Sequence, residues 1–224
     1  MSYKLPLALI TLAIIMLVGC DQPFGLPNEA RTASVVIADV PDDEDATGHI
    51  DYFEDPPFGI APYSRDVPNI KWGDKKNQDG EENPRSNGFA VFEIPYIENA
   101  ENEIWPCTLY YYLHAQSGDT NFRLVVTALS SDPRSISDEL LFWYAWYADS
   151  IAGDICHGSS GLYAIPLSDS ACAEITMLAD DYPDGGDYYT GWITPDTAAW
   201  EASIWGLAKG ATSNNPPYIK ITTP

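Results

Sequence analysis

Hydrophobic and polar positions alternate most regularly between Asn87 and Ser130, where the pattern predicts three successive strands joined by polar turns. In the first, Gly88 to Ile94, Ala90, Phe92 and Ile94 alternate with Phe89, Val91 and Glu93, and Glu93 marks the second face as the wetter one. Pro95 ends this strand, and the polar run Glu98 to Glu103 reads as a turn. Trp105-Pro106 opens the next strand, Cys107 to Ala115, because proline is tolerated at a strand's first residue but not in its middle. Its odd positions Cys107, Leu109, Tyr111, Leu113 and Ala115 are expected to face the core, leaving Thr108, Tyr110, Tyr112 and His114 on a half-polar face. After Ser117-Gly118-Asp119, Phe122, Leu124, Val126 and Ala128 alternate with Asn121, Arg123, Val125 and Thr127 in the third.

The folded part is expected to begin at Val35 to Val40, with further strands at His49 to Phe53, Asn69 to Trp72, Gly161 to Leu167, Ser203 to Leu207 and Tyr218 to Thr222 and a proline-rich link from Asp55 to Pro68. The run Leu140 to Ala148, LLFWYAWYA, follows Ser137-Asp138-Glu139 and reads either as a capped helix or as a strand; its aromatic density favours a strand. Glu174 to Leu178 fits either state, and Thr194-Pro195-Asp196 has the cap and first-turn proline of a short helix reaching about Trp200. The predicted fold class is all-β, an antiparallel β-sandwich with one short helix.

At the other end of the chain, Lys4 precedes an apolar run from Leu5 to Val18. A membrane-spanning helix needs about 20 apolar residues, and this shorter run has the charged start and apolar middle of an export signal. It closes on Leu17-Val18-Gly19-Cys20, which resembles the lipobox of bacterial lipoproteins. The resemblance implies that residues 1–19 are a signal, that Cys20 carries lipid, and that the protein is exported and held in the cell envelope through its lipidated N-terminus, in a leaflet the sequence leaves open. Residues 20–32 read as a tether without periodicity, and 33–224 as a single sandwich domain.

Charge narrows the partners. With 33 acidic and 11 basic residues the chain carries a net charge of -22, which argues against a nucleic-acid partner or attraction to an anionic surface. Solubility in the envelope accounts for the charge; the alternative is a structural calcium in an acidic loop, and no other cofactor is implied. The loops in question are Pro41 to Asp51, Gly73 to Glu82 and Asp180 to Asp187, the middle one offering Asp74, Asn77 and Asp79 without the spacing of a helix-loop-helix calcium site. With Cys20 lipidated, three cysteines remain, and the nearest pair suggests a Cys156 to Cys172 disulfide with Cys107 a buried thiol. A Cys107 pairing or a reduced chain stays open.

Read together, Ile70 to Asp74, Arg85 to Leu113, Phe122 to Leu129, Ile193 to Ala208 and Pro216 to Thr222 resemble the DNRLRE-type β-sandwich domains of bacterial surface proteins, which are similar to certain polysaccharide-binding modules. The matching motifs are Arg85 with Phe89 and Phe92, Ile94-Pro95, Leu109-Tyr110, and Thr194 with Trp200; Ser135 to Cys172 departs from the pattern. The resemblance implies a jelly-roll-like sandwich in an adhesion or binding context. No nucleophile elbow, P-loop or dinucleotide fingerprint is present. The expectation is therefore a non-catalytic binder of a polysaccharide or an envelope partner, with Trp72, Tyr110 and Tyr112 as an outward aromatic platform. A jelly-roll hydrolase or lyase and a structural surface subunit are the alternatives.

Overall fold

A computed structural model describes residues 34–54, 61–74, 84–98, 100, 104–117, 123–156, 159–181, 183–194 and 205–223. Twelve strands make up the described fold: β1 (Ser34–Asp39), β2 (Thr47–Tyr52), β3 (Tyr63–Asp66), β4 (Ile70–Asp74), β5 (Arg85–Ile94), β6 (Cys107–Ser117), β7 (Arg123–Ala128), β8 (Ser150–Cys156), β9 (Gly161–Pro166), β10 (Gly186–Ile193), β11 (Trp205–Ala208) and β12 (Tyr218–Thr223). Two helices accompany them, α1 (Asp138–Tyr147) and α2 (Asp169–Ala179). Every ladder is antiparallel, and the strands follow the order β1-β12-β6-β11-β4-β5-β10-β7-β8. β2 pairs with β5 and β3, and β9 pairs with β6.

The sheet curls so that its two halves pack around one core, as in a β-sandwich. β6 shows how the curl is made. Tyr110 pairs with Ala164 of β9 on one side and Tyr218 of β12 on the other, while farther along Leu113 pairs with Ala208 of β11. β11 and β12 therefore take successive stretches of one edge of β6, and the chain between them lets β11 join β4 while β12 joins β1. Four of the five expected inward positions of β6, Cys107, Leu109, Tyr111 and Leu113, are buried, and Ala115 is half-buried where the pairing with β11 shifts register. The three strands of the Asn87 to Ser130 stretch are present, and Glu93 is the exposed residue of an otherwise buried β5.

Several expectations fail here: Asp55 to Pro68 is more than a link, since it contains β3, and β8 lies where no strand was expected. Leu140 to Ala148 is not a strand: it belongs to α1, where Ser137 caps the first turn by accepting from Leu140 N–H and Asp138 and Glu139 complement the helix dipole. Leu141, Phe142 and Ala145 face inward and Tyr144 and Tyr147 outward, a helical rather than a two-residue period. Aromatic residues cost a helix only about 0.5 kcal/mol each, too little to outweigh the cap and the docking described below. The second omission is β10, which lies centrally between β5 and β7 with Tyr188, Thr190 and Trp192 buried along one face. Glu174 to Leu178 resolves as the second half of α2, capped by Ser168. The predicted helix beginning at Thr194 lies almost wholly outside the described residues.

α1 packs on the outer face of β5 and β10, with Ile50, Phe89, Leu129 and Ile193 beneath Leu141, Phe142 and Ala145. Gly191 makes the approach possible, since a Cβ there would stand 2.9 Å from Ala145 Cβ and 2.6 Å from Thr127 Oγ1. Polar groups then hold the helix in place. Asn87 Nδ2 donates to Phe142 O (2.9 Å), Thr127 Oγ1 to Ala145 O (3.1 Å), and Arg65 to Asp138 and Ile136 O (both 2.9 Å). Ala145 O is among the last carbonyls of the helix, which lack intrahelical partners, so Thr127 satisfies an acceptor that would otherwise be buried unmade.

Gly191→Ala is expected to destabilise the protein by about 1–3 kcal/mol by pushing α1 off the sheet. Urea unfolding checks this, and an unchanged midpoint would mean that the helix is not held this closely.

Candidate functional site

The C-terminal half of α1 forms one wall of a cleft of about 230 Å³ whose other walls are the ends of β4, β5 and β10. Phe142, Trp143, Trp146 and Tyr147 supply the aromatic wall. Trp143 and Tyr147 stand one helical turn apart and stack with ring centroids 5.8 Å apart and planes 19° from parallel. Tyr147 is 76% exposed, and the Trp143 indole N–H donates to Tyr63 OH (3.1 Å), which fixes the indole against β3. The stacked pair presents a flat, oriented aromatic edge at the mouth of the cleft.

The opposite side is polar: Arg85, Ser86 and Asn87 come from β5, and Thr194 follows β10. Gly73 of β4 completes the lining at φ +93°, a conformation that side chains rarely adopt. Asn87 is engaged with α1, whereas the Thr194 hydroxyl is buried, 4% exposed as a residue, with no hydrogen-bond partner among the described residues. Buried hydroxyls are ordinarily satisfied, and of the buried polar side-chain atoms without a partner among the described residues, the Thr194 hydroxyl is the one in this cleft wall.

Behind the cleft, Ser86 Oγ donates to Asp51 Oδ1, and Lys71 Nζ reaches the same carboxylate at 3.0 and 3.3 Å. Buried His49 lies alongside, with Nδ1 2.9 Å from Asn69 O and Nε2 3.7 Å from Asp51 and 3.9 Å from Asp66. The Nδ1 contact calls for a proton on that nitrogen, since a carbonyl can only accept. Serine, histidine and aspartate thus meet, but not as a nucleophile relay: the serine donates to the carboxylate rather than to the imidazole. The cluster ties β2, β4 and β5 together beneath the polar wall. Burial lowers the His49 pKa from its ordinary 6.5, more than Asp51, Asn69 O and Asp66 raise it, and Lys71 adds to the lowering.

The residues expected from sequence are dispersed. Trp72 is not an outward contact: it is fully buried, because β4 turns Ile70 and Trp72 inward, and it packs against Tyr111 and Trp192. Tyr110 and Tyr112 do lie on the half-exposed face of β6, where Tyr110 stacks on Tyr218 (4.9 Å, 5°) and Lys209 Nζ sits 5.7 Å from the centre of the Tyr112 ring. The three aromatics therefore share no patch. The Cys156 to Cys172 disulfide is not formed: Cys172 is a free, buried thiol held against Cys107.

Of the calcium candidates, Asn77 and Asp79 lie outside the described residues, as does Cys20, and of Asp74 only the backbone is described. In the two other acidic loops, Asp43 accepts from Asp45 N–H, Asp51 belongs to the cluster above, and Asp187 pairs with Arg134 at 3.0 Å. Among the described residues no group of three or more His, Cys, Asp or Glu is placed to hold a metal ion.

Signals for the cleft existed in the sequence. Trp143, Trp146 and Tyr147 become one wall as soon as Ser137 is read as a helix cap, because residues three and four apart then share a face.

No protein-family model matches the chain, and no curated protein does. Among solved structures it is similar to the K3 cleaved adhesin domain of Lys-gingipain from Porphyromonas gingivalis w83, at 11% identity and a TM-score of 0.37, over 85% of this chain and 100% of that one. A likeness at that level carries no argument about function, and the fold described above rests on its own strand register.

Folded His49 holds a proton more weakly than the unfolded chain does, so below about pH 6.5 acidification favours unfolding at this residue. Wild type is expected to lose more stability between about pH 7 and pH 5 than His49→Gln does. Paired urea titrations at the two pH values check it, and equal losses would remove His49 as the cause.

Proposed function

We propose that this chain is a non-catalytic, exported binding protein of the bacterial cell envelope, anchored by lipid on Cys20, whose sandwich takes a polysaccharide in the cleft beside α1. The observation that supports this most is the pairing of the stacked Trp143 and Tyr147 rings with the buried Thr194 hydroxyl across one cleft. Sugar rings present apolar C–H faces that lie on aromatic rings, while their hydroxyls need directional partners. Arg85, Ser86 and Thr194 offer such partners on the facing wall. The cleft thus replaces the Trp72, Tyr110 and Tyr112 platform as the favoured site. The net charge of -22 favours neutral over polyanionic chains.

Binding of the purified chain to a panel of neutral and acidic polysaccharides, followed by calorimetry, tests the reading. Tyr147→Ala and Thr194→Val are each expected to weaken binding by tenfold or more, about 1.4 kcal/mol, with the fold intact by circular dichroism. Loss with Tyr110→Ala instead would move the site to the outer face of β6. Binding to none of the panel would overturn the carbohydrate reading in favour of a protein partner.

A further inference from the structure

The main core encloses two thiols that the proposed ligand site does not use. Cys107, the first residue of β6, is 2% exposed, and Cys172, in the first turns of α2, is 4% exposed. Cys107 N–H donates to Cys172 Sγ at 3.2 Å, while the Cys107 thiol donates to Trp105 O at 3.3 Å and the Cys172 thiol to Leu167 O at 3.8 Å. Their backbones are fixed from both sides: Leu167 N–H donates to Cys107 O at 3.0 Å, and Cys172 N–H to Ser168 O at 2.9 Å. Five residues separate Leu167 from Cys172, so the strand end that holds Cys107 and the cap that starts α2 are one continuous local structure.

We propose that Cys107 and Cys172 form the protein's intramolecular disulfide when an external disulfide is present during folding. Cys172 Sγ stands at hydrogen-bond distance from the Cys107 backbone and both side chains are buried in the same core cluster, so closing the bond asks the two side chains to turn their sulfurs toward one another, whereas free Cys172 is not bonded to Cys156.

The steps balance. One of the two cysteine thiols, losing its proton, attacks one sulfur of the external disulfide, forming a mixed disulfide and releasing the first thiolate, which takes up that proton. The other cysteine, losing its proton in turn, attacks the protein sulfur of the mixed disulfide and expels the second thiolate, which is protonated likewise. Two protein thiols are oxidised by two electrons and the external disulfide is reduced to two thiols. The bond would close a segment that contains β7, α1, β8 and β9, and so encircle the helix that bears the aromatic wall. Because both sulfurs are buried in the finished fold, the exchange belongs to the folding chain, before β6 and α2 close over them.

The full chain, unfolded and reduced, is refolded in a mixture of oxidised and reduced glutathione, alkylated under denaturing conditions without reductant, and digested. The expected product is a peptide pair joining Cys107 to Cys172, lighter than the two free peptides by two hydrogens, with Cys156 alkylated. Cys156→Ser is expected to leave that pair unchanged, and Cys172→Ser to leave Cys107 alkylated. Alkylation of both Cys107 and Cys172 in the refolded wild type, or a bond from either to Cys156, would overturn the proposal. Folding is read separately by circular dichroism, and Cys107→Ala with Cys172→Ala, which abolishes the bond without adding a polar group to the core, serves as the reduced reference.

Discussion

Three rings meet at the centre of this fold, and the positions of the other elements follow from their contact. Trp72 lies edge-on to Tyr111 (6.3 Å, 84°), Tyr111 edge-on to Trp192 (5.0 Å, 82°), and Trp72 and Trp192 tilt together at 5.6 Å. All three are buried, and they come from β4, β6 and β10, strands that do not neighbour one another in the sheet. Edge-to-face packing depends on angle as well as distance, so the cluster sets how tightly the sheet curls. Once β10 is placed by Trp192, its opposite face carries Gly191, the point at which α1 docks.

That sequence of dependence explains why the cleft proposed for binding and the hydrophobic core share the same few strands. Along β10, Trp192 and Thr190 point into the core while Gly191 and Ile193 receive the helix. Along β5, Phe92 faces one cluster and Phe89 the other, and Arg85 and Ser86 at the strand's beginning line the cleft. The cleft is built at the boundary between two packed layers, where the helix overhangs the ends of strands that the core holds rigid. Side chains fixed on such elements lose little conformational freedom on binding a ligand.

Much of this was legible in residue alternation. The buried face of β6, the solvent-facing Glu93 on β5 and the short strands at both ends of the domain follow from period-two patterning, which is strong where one face is wet. The pattern fails for elements wrapped on both sides. β10 is flanked by the core and by the helices, so Tyr189 and Ile193 break its alternation and its acidic start at Asp187 disguises it as a loop. α1 fails for a related reason: aromatic residues occupy buried, half-buried and exposed positions alike, and only the Ser137 cap distinguishes helix from strand. Trp72 shows the limit for a site, because a five-residue strand between two polar loops gives no second inward residue beyond Ile70 to reveal which way its tryptophan turns. The Cys107 and Cys172 contact, far apart in the chain, depends on tertiary closure that spacing cannot encode.

The pairing of β1 with β12 carries a consequence of a different kind. Ser34 lies opposite Thr223, so the folded unit begins and ends on adjacent strands. Neighbouring strands are about 5 Å apart. A polypeptide that entered this unit at one strand and left at the other would resume its own path almost where it had broken off, which makes the unit geometrically suited to insertion within a longer host chain.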